Sequence, residues 1–315
     1  MTPKVSWPTG SGELPNPGGR AALPRVGTTP INWNNADLPD LAPEVPFPAI
    51  LDEMVAAGYA GTELGANFPA DPDSLRGALK VRGLALCGAY QWLHLLDDAA
   101  LAAELGHLDR LAELLASSEC PNVNVADALS AKRIALAGRV PRDGSAGLAD
   151  AQWLKLGRNV EAVARRLASR GIRLRYHNHV GSYVETPDEV ARLLAITDPD
   201  LVDLCFDTGH YAYGGGDPAE FVVEWHHRIG YLHLKDVDPV VLARVRGEGQ
   251  GFLDALRSYV FCELGAGAVD VARVVKSLLA LGYSGWMVLE QDTSRRPATV
   301  SARASRQYLR RCCAL

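Results

Sequence analysis

Short apolar, β-rich runs alternate along the chain with longer stretches whose apolar residues recur at helical spacing. The short runs fall at residues 25–30, 59–64, 84–90, 122–125, 172–178, 201–206, 229–234 and 285–290. Between them, amphipathic stretches predict helices from about residue 48 to Gly58, from Asp71, over 97–116, over 151–169 ahead of Gly171, from Thr186, from Asp217, over 269–281, and from about 299 to the end. Several starts carry their own caps. Asp71-Pro72-Asp73 offers a side-chain acceptor followed by proline at the first helical position. Thr186-Pro187-Asp188-Glu189 reads as a capping box, and Asp217-Pro218-Ala219-Glu220 caps the helix after it. Strands separated by helices predict a parallel sheet, and eight such units in order predict an α/β chain closed into a single (β/α)8 TIM barrel over residues 25–315. A doubly wound open sheet is the competing arrangement, but no G-x-G-x-x-G follows the first strand. Residues 1–24 are rich in proline and glycine and are expected to form an irregular N-terminal extension.

At 315 residues the chain exceeds the roughly 250 of a plain barrel, which leaves room for extra segments such as 238–261. The formal net charge is -5 and no basic run occurs, which weighs against nucleic acid as a partner. None of the six cysteines forms a C-x-x-C pair, so a zinc knuckle or redox motif is not expected. The neighbouring Cys312 and Cys313 suggest a reducing compartment. The extension lacks the apolar core of a signal peptide, and no stretch reaches 18 uninterrupted apolar residues. The expectation is a cytoplasmic protein without a membrane partner, acting on a small molecule, with room for self-association into a homo-oligomer.

Polar and ionisable residues cluster just after the apolar runs: Asn32, Glu63, Gln91, Asn124, His177 with His179, Asp207 with His210, His233 with Lys235, and Glu290 with Asp292. In a β/α barrel these positions converge on the C-terminal mouth, where active sites are built. Any one of them alone reads more simply as a strand-end cap or a solvated loop. Their recurrence on nearly every strand turns that reading into one of a site.

Asp207, His233 and Glu290 end strands six, seven and eight, and one imidazole with carboxylates suits a divalent cation. Asp207 could instead cap Thr208-Gly209-His210, and Glu290 could be a salt-bridge partner. Strand five offers two imidazoles, His177 and His179, and Glu185 follows in the loop. Glu189 is accounted for by its capping box. Glu185 has no such duty and is the candidate fourth ligand, with His177 or His179 as the alternative. Lys235 falls on the same side of its strand as His233. It could neutralise negative charge developing on an oxygen, or donate a proton if its pKa is depressed, or simply pair with Asp236 or Asp238. Asn32, Trp33, Glu63, Gln91, His177 and His179 are expected to contact the substrate. Trp33 and Trp92 could present an apolar face to a sugar ring, or plug the barrel top.

Tyr176-His177-Asn178-His179, Asp207-Thr208-Gly209-His210, His233-Leu234-Lys235-Asp236-Val237 and Gly285-Trp286 with Glu290-Gln291-Asp292 resemble the inosose dehydratase branch of the xylose-isomerase-like TIM barrels. Gly61-Thr62-Glu63-Leu64-Gly65 fits as well. The resemblance implies one divalent metal ion, Mn²⁺ or Co²⁺ before Mg²⁺ or Zn²⁺, with Asp207, His233 and Glu290 as ligands and His210 and Lys235 facing the substrate. Barrels of this group usually carry a metal-binding glutamate at the end of strand five, where this chain has His177, and Glu185 is the substitute. The implied activity is a lyase dehydrating a keto-cyclitol such as 2-keto-myo-inositol, in the manner of inositol catabolism. Glu290 or Glu185 would take the proton next to the carbonyl, and His210 or Lys235 would protonate the departing hydroxyl. The alternatives are a metal-dependent sugar isomerase or epimerase using the same site, a phosphodiester-cleaving barrel, which the charge opposes, and a metal-stabilised sugar-binding barrel without catalysis.

Overall fold

In this computed structural model the described residues are 23–315. Of the expected extension, residues 1–24, all but Leu23 and Pro24 lie outside them. The strands are β1 (Arg25–Thr28), β2 (Gly61–Glu63), β3 (Ala85–Gly88), β4 (Tyr90–Leu93), β5 (Asn122–Asp127), β6 (Arg173–His177), β7 (Asp203–Asp207), β8 (Ile229–Leu234), β9 (Asp236–Val237), β10 (Phe261–Cys262) and β11 (Trp286–Leu289). The helices are α1 (Phe47–Ala57), α2 (Pro72–Lys80), α3 (Asp98–Ser117), α4 (Ala131–Leu136), α5 (Asp150–Ala168), α6 (Pro187–Ile196), α7 (Thr208–Tyr213), α8 (Pro218–Trp225), α9 (Pro239–Gly247), α10 (Phe252–Arg257), α11 (Val271–Ala280) and α12 (Ala298–Cys313).

Nine strands form one parallel sheet in the order β3-β2-β1-β11-β8-β7-β6-β5-β4. Its two ends, β3 and β4, are halves of a single run broken at Ala89. Leu64 N–H donates to Gly88 O at 2.9 Å on one side, and Asn124 N–H to Ala89 O at 2.8 Å on the other. The sheet therefore curls into the expected eight-membered barrel, its third strand split between two neighbours. Inside it, Cys87, Cys205, Tyr231, Trp286 and Val288 pack together, so the two strand cysteines serve as small apolar filler.

The helix signals act as their chemistry requires. Asp71 accepts from Ser74 N–H at 2.8 Å, and the Thr186–Glu189 capping box closes in both directions. Gly58 ends α1 at φ +89°, a left-handed conformation in which a Cβ would be strained.

Four elements had no strong periodic signal: α4, α7, α9 and α10. With the short antiparallel pair β9–β10, the segment after β8 folds back over the C-terminal mouth. There Val241, Leu242, Val245, Phe252 and Phe261 build a second apolar cluster with Leu38, Ala137, Val180 and Tyr213. Arg257 ties this cover to the loop after β1 through both oxygens of Asp40, at 2.8 and 2.9 Å.

Candidate metal centre

Strands β6, β7, β8 and β11 each deliver one donor to a single point at the mouth. His177 Nε2 lies 3.1 Å from His233 Nδ1. Asp207 Oδ2 is 3.7 Å from each of those nitrogens, and Glu290 Oε2 is 3.3 Å from His233 Nδ1. Nitrogen and oxygen ligands bonded at about 2.1 Å to one ion stand roughly 3.0–3.5 Å from each other, so these spacings suit a divalent cation. A second observation points the same way: Asp207 Oδ2 is buried and accepts no hydrogen bond. The residues fit the metal that the resemblance implies.

Asp207 serves as a cap and still keeps one oxygen in the donor set. Its Oδ1 accepts the His210 N–H at 2.7 Å and starts α7, which leaves Oδ2 free to face the imidazoles. Behind His233, Glu63 Oε1 lies 2.9 Å from Nε2 and also accepts from Tyr231 Oη at 2.9 Å and Asn124 Nδ2 at 2.7 Å. With Nε2–H given to Glu63, the Nδ1 lone pair points at the donor set. Glu63, expected as a substrate contact, is buried on the far side of His233 from Asp207 and Glu290.

Glu185, the candidate fourth ligand, has both carboxylate oxygens engaged in the loop. Its oxygens accept from Gly138 N–H at 2.7 Å and Gly181 N–H at 2.8 Å, and Arg133 stands 3.7 Å away. Arg133 is itself held by Glu189 through two contacts of 2.6 and 2.8 Å. Glu185 thus braces the loop after β6 against the turn after α4, and His177 holds the strand-five place in the donor set.

Lys235 is fully buried. Its Nζ is 2.6 Å from Glu290 Oε1, 2.9 Å from Asp292 Oδ2 and 3.4 Å from Asp207 Oδ2. Asp236 is not its partner: that carboxylate accepts backbone N–H groups of Val237, Gly265, Gly267 and Val269. Burial works to depress the Lys235 ammonium, but Asp207, Asp292 and Glu290 outweigh it and hold its pKa well above the ordinary value. Lys235 is therefore a charged ammonium, not a lysine with a depressed pKa. Burial would raise the Glu290 carboxyl, yet Lys235 and then His233 hold it below the usual range. Burial, reinforced by His179 and Lys235, keeps His210 well below its ordinary value, so its ring is neutral. His179, its ring centroid 3.9 Å from that of His210 and tilted against it, is pushed down to about 3 by burial and by His177.

The remaining expected contacts divide. Asn32 spends its side chain as a clamp between the first and last strands, donating to Thr28 Oγ1 at 2.9 Å and accepting from Gln291 N–H at 2.8 Å. Trp33 is buried, its indole N–H donating to Glu53 of α1 at 2.6 Å, so it packs away from the mouth. Gln91 stays at the rim and donates to Trp92 O at 2.8 Å. His179 remains beside the donor set, its ring 5.5 Å from His177 and 5.4 Å from Phe252.

Two groups at the mouth escaped the sequence reading. The Tyr90 ring is 37% exposed and stands edge-on to His177 at 5.5 Å. Its place at the end of the third apolar run, just before Gln91 and Trp92, is the signal that could have found it. Asp37, on the loop after β1, has its carboxyl raised by desolvation while Lys235 and Glu290 act on it from the site. No local signal marks it. A cavity of about 320 Å³ opens at the opposite end of the barrel, lined by His226, His227, Gly230, Tyr283 and Gly285, away from the donor set.

A β/α barrel with a mixed imidazole and carboxylate donor set at its C-terminal mouth is the class that fold and site define. The chain belongs to the xylose isomerase-like TIM barrel family, which matches residues 51–312. It is 32% identical over 291 residues to the inosose dehydratase of Clostridium botulinum (strain Alaska E43 / Type E3), covering 91% of this chain and 96% of that one. It is 35% identical over 295 residues to the rhizopine catabolism protein MocC of Rhizobium meliloti, covering 92% and 89%. The fold is shared with the 3-keto-D-glucoside 4-epimerase YcjR from E. coli, at a TM-score of 0.68 and 18% identity, over 92% of this chain and 100% of that one.

Proposed function

We propose that the chain is a lyase that dehydrates a keto-cyclitol, 2-keto-myo-inositol or a close polyol ketone, with one divalent cation, manganese or cobalt, held by His177, Asp207, His233 and Glu290. Likeness to the inosose dehydratase of Clostridium botulinum over more than nine-tenths of both chains supports the substrate class. The observation that carries the reaction type is the 2.6 Å contact between the Glu290 carboxylate and the Lys235 ammonium beside the donor set.

A cation in that set supplies Lewis acidity to a substrate carbonyl. Glu290, ionised at neutral pH and at the edge of the set, takes the proton from the carbon next to the carbonyl. That C–H bond breaks, a carbon–carbon double bond forms, and the neighbouring C–O bond breaks. The departing hydroxyl takes a proton from Lys235 and leaves as water. Glu290 then passes its proton to Lys235 across their contact, which restores both groups. Phe252 and Phe261 wall the site: their rings lie 5.7 and 5.4 Å from His210 and limit the entry of water.

A proton returned to carbon, with no hydroxyl lost, would make the same site an isomerase or epimerase. The ammonium beside the base favours dehydration, since it offers a proton to a leaving oxygen. Six free cysteines, with Cys312 and Cys313 adjacent, support a reducing, cytoplasmic setting. Among the described residues no helix is long and apolar enough to cross a membrane.

The test is chelator-treated protein assayed on 2-keto-myo-inositol by mass spectrometry, with and without Mn²⁺ or Co²⁺. Loss of one water that requires the metal and vanishes in Glu290→Gln supports the reading. Solvent deuterium entering the ketone without loss of water moves the enzyme to the epimerase class.

A further inference from the structure

Four side chains at the barrel mouth surround a cation that belongs to the chain. The Lys235 Nζ lies 2.6 Å from Glu290 Oε1, 2.9 Å from Asp292 Oδ2, 3.0 Å from His210 Nε2 and 3.4 Å from Asp207 Oδ2. Without the lysine, these residues would be a ligand set in their own right: His210, Glu290 and Asp292 bring one donor atom each within 4.8 Å of one another. Asp207 Oδ2 and Asp292 Oδ2 are buried and accept no hydrogen bond of normal geometry. They face the ammonium through charge alone, as carboxylates face a metal.

The fold gives this lysine a dedicated channel. A Cβ at Gly209 would come within 2.5, 2.7 and 2.8 Å of the Lys235 Cγ, Cβ and Cδ, so only glycine lets the stem pass. Thr208 Oγ1 donates to Lys235 O at 2.7 Å and accepts its N–H at 3.0 Å. The Phe261 ring faces the ammonium at 4.6 Å. A lysine at a barrel mouth ordinarily runs its head out to water. This one ends among carboxylates and is fully buried.

We propose that Lys235 is a built-in second cation: its ammonium stands where a second divalent ion would sit among Asp207, His210, Glu290 and Asp292. The inference rests on the one-metal reading of His177, Asp207, His233 and Glu290. Three carboxylates in a dry site demand more positive charge than one divalent ion conveniently supplies. An ammonium on a covalent stem supplies it in the resting site and cannot be exchanged or stripped. Its contacts are longer than metal–ligand bonds, so shortening the side chain leaves both the space and the charge for an ion with oxygen and imidazole ligands.

The experiment compares metal content. Wild type and Lys235→Ala are stripped with chelator, reloaded with Mn²⁺, desalted and measured by inductively coupled plasma mass spectrometry. One ion per chain is expected in wild type and two in Lys235→Ala. Adding Asp292→Asn to Lys235→Ala returns the content to one, because Asp292 belongs to the second group alone. One ion per chain in both wild type and Lys235→Ala overturns the inference and leaves the one-metal reading standing, and none in either overturns both. None in wild type with one in Lys235→Ala does the reverse. If Lys235→Ala does not fold, crystals of wild type grown with excess Mn²⁺ decide the matter. A single anomalous peak at His233 is expected, and a second peak displacing the Lys235 ammonium overturns the proposal.

Discussion

Glu63 Oε1 stands 2.9 Å from His233 Nε2, on the side of the ring turned away from Asp207 and Glu290. A carboxylate so placed fixes the ring and its tautomer, and removing such a group typically costs about 10–100-fold in metal affinity. Glu63→Gln is therefore expected to weaken Mn²⁺ binding by that range while the fold is kept. Isothermal titration of chelated protein measures it. Equal affinities in variant and wild type would leave Glu63 no orienting role.

Asp207 divides its duties between oxygens, so two substitutions separate them. Asp207→Asn keeps an oxygen for the His210 N–H at Oδ1 but loses the charged donor at Oδ2. It is expected to lose metal retention by more than about tenfold. Asp207→Ala loses the cap as well, and its metal-free form should be less stable than that of Asp207→Asn by roughly 1 kcal/mol. Urea unfolding in chelator compares the two, and equal midpoints would deny the cap.

Glu185 braces a loop, and its loss should be felt in stability rather than in chemistry. Glu185→Ala leaves the amides of Gly138 and Gly181 without acceptors while Arg133 keeps Glu189. Two orphaned donors cost about 2–6 kcal/mol together. Metal per folded chain should stay at the wild-type value. A variant of normal stability that has lost its metal would return Glu185 to the ligand set.

Asp127, at the end of β5, is buried, and that burial pushes its carboxyl up to about 7 although the Leu95 amide at 3.2 Å works against it. The folded chain thus holds a proton that the unfolded chain releases near pH 4. Stability from this group is full below about pH 4, falls as pH rises to about 7, and is flat above that, with a slope of at most about 1.4 kcal/mol per pH unit. Asp127→Asn keeps an acceptor for Leu95 and removes the slope, so the variant should be the more stable protein at neutral pH. Urea unfolding across this window tests it, and parallel curves for the two proteins would refute the assignment.

Much of the barrel was legible because it is written in short stretches. The Asp71 and Thr186 caps, the turn at Gly58 and the strand runs each depend on a few neighbouring residues and the period of their apolar positions. The gathering of ionisable residues at strand ends was legible too, since the barrel sends all those ends to one mouth. The cover built by α9, α10 and the β9–β10 pair was not, because its helices are short and weakly periodic and hold their place through the second apolar cluster.

By itself the sequence determined the eight-unit barrel, the face that carries the chemistry, and the family. Tertiary structure alone decided which side chains meet. It left His177 beside His233 and engaged Glu185 with two backbone amides. It put Glu63 behind His233 and turned Asn32 into a clamp between the first and last strands. It surrounded Lys235 with Asp207, Glu290 and Asp292 rather than with its sequence neighbour Asp236. The physical reason is range: caps and periodicity are settled by neighbours in the chain, whereas a ligand or counter-charge is settled by competition among donors that distant strands bring together.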